Sequence, residues 1–175
     1  MKICVEDGTT TIDTVRSFFP VRVVVPVQSR VEKFQGLVTG ACNAVAGDST
    51  EILPASVVNA GYSGPYEMGQ RRFSDEPLTP LTREDDPEWS DFVYWVVSSI
   101  FYAEEEGITQ ATLNLMPQLS LFGSRFFNAY RFVIQAVGNF GEIYNRDLGP
   151  FLNRTGANLL NLSPNGPQHF VRPGL

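Results

Sequence analysis

The sequence predicts an α/β fold: a parallel sheet in its front part and mainly helices behind. Through residues 1–60, apolar and β-branched runs alternate with helix-like segments of about ten residues, the pattern of βαβ units. Beyond residue 107 the apolar positions recur at helical spacing instead. Hydrophobic residues make up 43% of the 175 positions and aromatics 12%, enough apolar material for a packed core.

Residues 3–5 predict a first strand and residues 10–19 a helix. The run VRVVVPV at 21–27 predicts a second strand, because β-branched side chains suit a pleated surface. Residues 31–39 predict a helix with Val31, Phe34, Leu37 and Val38 on its inner face. A short strand is expected at 42–45, and a helix at 50–59 capped by Asp48 and Ser49. Gly and Pro recur through 61–87, as in a connection between subdomains, with short extended pieces at 66–73 and 77–82. Asp85-Asp86-Pro87-Glu88 then opens a helix running to about Glu106, where Gly107 ends it. A helix over 124–138 would present Phe127, Tyr130, Val133, Ile134 and Val137, with shorter ones at 141–148 and 154–162.

Composition and motif content narrow the function. The net charge of −6 and pI near 4.8, with scattered basic residues, disfavour nucleic acid as a partner. The most apolar stretch, 92–102, is shorter than the roughly 18 residues of a membrane span, so no direct membrane insertion is expected. No basic-then-apolar leader precedes Ile3, which fits a cytosolic chain or one whose front has been removed. The single histidine, His169, lies in the Pro/Gly-rich tail, so nucleophilic catalysis is not expected. The acidic groups 85–86 and 104–106 fit helix ends and solvated faces, and no metal site or cofactor is expected. Sequons occur at Asn153 and Asn161, and such short matches arise often by chance. Cys4 and Cys42 each sit in a strand-like run: neighbouring strands would let them pair, and two buried free thiols are the other reading.

One turn carries chemistry. A strand ending at Gly8 and entering a helix through Thr9, Thr10 and Thr11 aims backbone N–H groups and hydroxyls at one spot, the recipe for holding a carboxylate. The alternative is a plain Thr helix cap. Asp48 follows the strand at 42–45 in an equivalent place, either as a helix cap or as a carboxylate for a cation. At the carboxyl ends of parallel strands the two features match an amino-acid zwitterion.

The segments ICVEDGTTT, TGACNAVAGD, PLTPLTREDDPEWSDFVYW, AEEEGIT, QAVGNFGEIYNRDLGP and NLLNLSPNGPQHFVRPGL, in that order, resemble the general L-amino-acid-binding periplasmic proteins, family-3 solute-binding proteins of ABC importers. The resemblance runs from residue 2 to the C-terminus. It implies a type II periplasmic-binding-protein fold with lobe two complete (1–70) and a return crossover plus the helical C-terminal part of lobe one (71–175). It also implies that Gly8, Thr9 and Thr10 hold the substrate carboxylate, that Asp48 holds the α-ammonium, and that Cys4 pairs with Cys42.

The implied activity is amino-acid capture for an ABC importer, not catalysis. The implied partners are a small L-amino acid and a membrane permease, and the implied location is the periplasm or outside the cell. The chain starts where lobe two starts, so the lobe-one portion carrying an Arg clamp for the substrate is expected to be missing. Ala46 and Gly47 stand where the family usually has hydroxyl-bearing residues. Helices without their lobe-one sheet would expose Phe126, Phe127, Tyr130 and Phe132. A repurposed lobe serving as a structural or protein-interaction module is the alternative reading.

Overall fold

In the computed structural model, which describes residues 1–69, 71–74, 76, 78–120, 122–160 and 162, the chain divides into two units, Met1–Glu76 and Pro77–Leu175. His169 and Asn161 lie outside the described residues.

The first unit is built on β1 (Ile3–Glu6), flanked by β2 (Val24–Val27) and β3 (Ala44–Val45) in a parallel sheet ordered β2-β1-β3. Ile3 pairs with Val24 on one side and with Ala44 on the other. A central strand is covered on both faces, which is why Ile3, Cys4 and Val5 are all buried. Successive side chains alternate between faces. Ile3 and Val5 join Ile12 and Val15 of helix α1 (Thr10–Phe18) and Val24 in one core cluster. Cys4 turns toward helix α2 (Arg30–Thr39), and its Sγ lies 2.5 Å from where a Cβ on Gly36 would stand. Cys4 is bonded to Cys42, just before β3, with Cα atoms 5.8 Å apart.

Helix α2 departs from the expected inner face. Of the four predicted positions only Phe34 is buried, and Val31 is 70% exposed. Lys33 and Gly36 are buried instead, because Lys33 reaches a carboxylate and Gly36 gives room to the disulfide. The expected helix at 50–59 shrinks to α3 (Pro54–Asn59), whose N-cap is Leu53. Residues 48–52 form turns before it. The strand begins at Ala44 rather than at Cys42, and the expected extended pieces near 66–73 and 77–82 form no strand among the described residues.

The second unit centres on α4 (Pro87–Glu105), where the Asp86 carboxylate accepts the Trp89 amide at 3.0 Å as an N-cap. Ala103, Ile108, Met116, Leu119 and Ile134 form its core. The helix expected over 124–138 starts only at α5 (Ala129–Val137), after a short 3-10 turn. The Phe127 carbonyl accepts the Leu119 amide at 2.9 Å, so it is drawn toward that segment rather than into the helix. Helix α6 (Phe140–Asp147) opens with a reciprocal Asn139–Glu142 capping box, each bond 2.9 Å.

Glu104 is not on a solvated face. Arg154 grips it with two hydrogen bonds of 2.5 and 2.7 Å and stacks over Phe140 and Tyr144. Phe126, Phe127 and Phe132 are exposed as expected, whereas Tyr130 is only 1% exposed. It belongs to the core because α5 turns that residue, with Ile134, toward Ala103 and Met116.

The Tyr130 hydroxyl has no hydrogen-bond partner among the described residues, and burial pushes its pKa up to about 12. In an unfolded chain the phenol ionises near 10, as phenols in water do. The neutral phenol therefore contributes its full share of stability below about pH 10 and loses it as pH rises through about 12. Tyr130→Phe should remove that alkaline loss and leave stability at pH 7 unchanged or about 1 kcal/mol higher, because an unpaired buried hydroxyl is deleted. Urea unfolding followed from pH 7 to 11 measures both. A loss of several kcal/mol at neutral pH would show that the hydroxyl has a structural partner.

Candidate functional site

Both predicted elements leave the carboxyl edge of the sheet in the first unit. The register Cys4↔Val45 makes β1 and β3 run side by side, so the turn after Glu6 and the turn after Val45 emerge as neighbours. Gly8 makes the first turn sharp by taking φ +73°, a conformation that costs an L side chain energy. Open space surrounds it, with no atom within 4 Å of a built Cβ.

Thr9 occupies the N-cap position of α1, yet its hydroxyl makes no cap bond. It donates backward to the Glu6 carbonyl at 2.8 Å and so ties the turn to the end of β1. The first amides of α1 are therefore not satisfied by a side-chain cap, and the plain Thr-cap alternative does not describe this turn. The Thr10 hydroxyl donates to Glu76 Oε2 at 2.5 Å. A carboxylate thus lies against the threonine that the sequence assigns to a carboxylate.

Asp48 does not act as a helix cap either. Its backbone carbonyl accepts the amides of Glu51 at 2.8 Å and Ile52 at 3.1 Å, closing a turn, and α3 begins later. The carboxylate of Asp48 is exposed and has no partner among the described residues. The strand that delivers it is fixed by the Ala46 amide donating to the Cys4 carbonyl at 3.1 Å.

Sequence reasoning missed the support beneath Asp48. Lys33 is 1% exposed, and its Nζ lies 2.6 Å from Glu51 Oε1. A Cβ on Gly47 would fall 2.3 Å from Glu51 Oε2 and 2.8 Å from Lys33 Nζ, so this ion pair fills the space that a side chain at 47 would need. Arg30 adds hydrogen bonds to the Glu51 carbonyl at 3.1 Å and to Ser56 Oγ at 3.0 Å. The turn after Asp48 is thereby pinned to α2 and α3. The sequence carried no clear hint of it, because Lys33 lies off the face of α2 that helical spacing points inward, and its burial follows from the ion pair with Glu51. Among the described residues no group of His, Cys, Asp and Glu could hold a metal ion.

No family model and no solved structure matches the chain. Three curated relatives do. YhdW of Escherichia coli K12, provisionally named an amino-acid ABC transporter-binding protein, is 27% identical over 98% of this chain and 56% of its own length. The general L-amino acid-binding periplasmic protein AapJ of Rhizobium johnstonii is 29% identical over 84% of this chain and 49% of its own. The glutamate/glutamine/aspartate/asparagine-binding protein BztA of Rhodobacter capsulatus matches at 29% over the same shares. The chain spans about half the length of the relatives it matches.

Proposed function

We propose that this chain, a sequence relative of the amino-acid-binding proteins of ABC transporters over nearly its whole length, is the amino-acid-holding lobe of such a protein. In this reading Gly8, Thr9 and Thr10 seat the α-carboxylate at the positive end of α1, and Asp48 takes the α-ammonium. Unit two supplies the return part of the other lobe. The observation that carries the reading is the double failure of capping: neither Thr9 nor Asp48 spends its side chain on a helix start, and both stand at the ends of adjacent strands.

The role is binding, not turnover. The partners are a free L-amino acid and, for delivery, a membrane permease. The Cys4–Cys42 bridge suits an oxidising compartment such as the periplasm. No helix among the described residues is long and apolar enough to cross a membrane.

Calorimetry with a panel of L-amino acids tests this. Binding is expected to weaken by about 10- to 100-fold in Asp48→Ala and in Thr10→Ala, the scale of one charge-assisted hydrogen bond each. No heat with any amino acid would favour the interaction-module reading, to which the exposed Trp89 and Phe132 lend some support.

A further inference from the structure

We propose that residues 71–74 and Glu76 form an autoinhibitory strap against α1 that places the Glu76 carboxylate in the seat intended for the ligand's carboxylate; this rests on the reading of Thr10 given above. The strap is fastened at both ends of the helix. At the carboxyl end, the Phe73 ring lies 5.2 Å from that of Phe18 and 5.8 Å from that of Phe19. The Arg71 guanidinium sits over Phe18 at 5.5 Å and over Phe73 at 5.3 Å. At the amino end, Glu76 receives the Thr10 hydroxyl at 2.5 Å and the Ser74 hydroxyl at 3.0 Å.

The dimensions agree. A nine-residue helix is about 14 Å long, and the steps from residue 71 to 76 span about 16 Å when extended. Phe73 beside the carboxyl end of α1 and Glu76 beside its amino end give the segment a course antiparallel to the helix. The aromatic and cation–π contacts hold a piece of chain that forms no strand among the described residues, and they set where Glu76 falls. An incoming carboxylate and Glu76 compete for one hydroxyl and one positive helix end. Ligand entry then requires the strap to swing away, exchanging a tethered carboxylate for a free one. The lobe is weak toward ligand until something draws the strap off.

Sodium acetate is the probe, because it tests the carboxylate seat whatever side chain the natural ligand carries. Amide shifts of Thr9, Thr10 and Thr11 are followed by NMR in the full chain during acetate titration, with sodium chloride as the ionic-strength control. Glu76→Ala is expected to respond to acetate at about tenfold lower concentration than the wild type, the scale of one displaced charge-assisted hydrogen bond. Phe73→Ala, which frees the other end, is expected to shift in the same direction. Equal responses in wild type and Glu76→Ala, or no saturable response in either, would overturn the strap. Acetate binding unmasked by Glu76→Ala without binding of any L-amino acid would leave the strap standing and sink the amino-acid reading instead.

Discussion

Breaking the Cys4–Cys42 bridge is expected to lower the unfolding free energy of the first unit by about 4 kcal/mol, the loop-entropy value for a closed loop of this length. The bridge spans 38 residues and joins the central strand to the entry of β3. It therefore closes a loop that contains α1, β2 and α2. A unit of this size buries a modest core, so such a loss is a large share of the 5–15 kcal/mol typical of a whole domain. Cys4→Ala with Cys42→Ala, or reduction of the native chain, should give the same drop in urea midpoint. Gly36→Ala should mimic part of it, since the added Cβ would stand 2.5 Å from Cys4 Sγ and either the helix or the bridge must move. A loss below about 1 kcal/mol in the double variant would show that the strand pairing holds β1 and β3 together without help.

Lys33→Ala should cost about 3–5 kcal/mol, because it leaves a partly buried carboxylate on Glu51 without its nearest cation. The pair is asymmetric in exposure: the lysine side chain is 2% exposed and the glutamate 20%. The lysine therefore suffers more desolvation, and Glu51→Ala, which strands it, should cost at least as much. Replacing both, Lys33→Met with Glu51→Leu, should recover most of the stability, since a buried pair exchanged for apolar groups of similar size is often neutral. Amino-acid binding should still weaken in the double variant, because the turn that carries Asp48 loses its anchor to α2. Urea unfolding and calorimetry on the same four proteins separate the two effects. Additive losses with no recovery in the double variant would mean that the two side chains act independently.

Much of the front half was legible because its signals are local. Alternating β-branched runs and helical spacings are enough to place β1, α1 and α2 within a residue, whereas β2 begins only at Val24, after a 3-10 turn at Val21–Val23. Asp86, Pro87 and Gly107 mark the ends of α4 through capping chemistry that does not depend on the rest of the fold. What escaped is tertiary. The inward face of α2 is set by a disulfide and an ion pair whose partners lie 6 to 32 residues away, so helical periodicity alone favoured Val31 and Val38. Asp48 looked like a helix cap, since nothing local says that Glu51 will be drawn to Lys33 and that α3 will wait for Pro54. Glu104 looked solvated, because its partner Arg154 is 50 residues further on. Glu76 carried no signal of its own: as one of two adjacent acids, Asp75 and Glu76, in a Gly/Pro-rich connection, it becomes notable only through its bond to Thr10 of α1.

The seat at the ends of β1 and β3 is tested most directly by recording amide shifts across the isotope-labelled chain while each common L-amino acid is added. Saturable shifts centred on Gly8, Thr9, Thr10 and Asp48, lost in Asp48→Asn, are the expected result. Shifts confined to the second unit around Trp89, or none with any amino acid in either the wild type or Glu76→Ala, would contradict it.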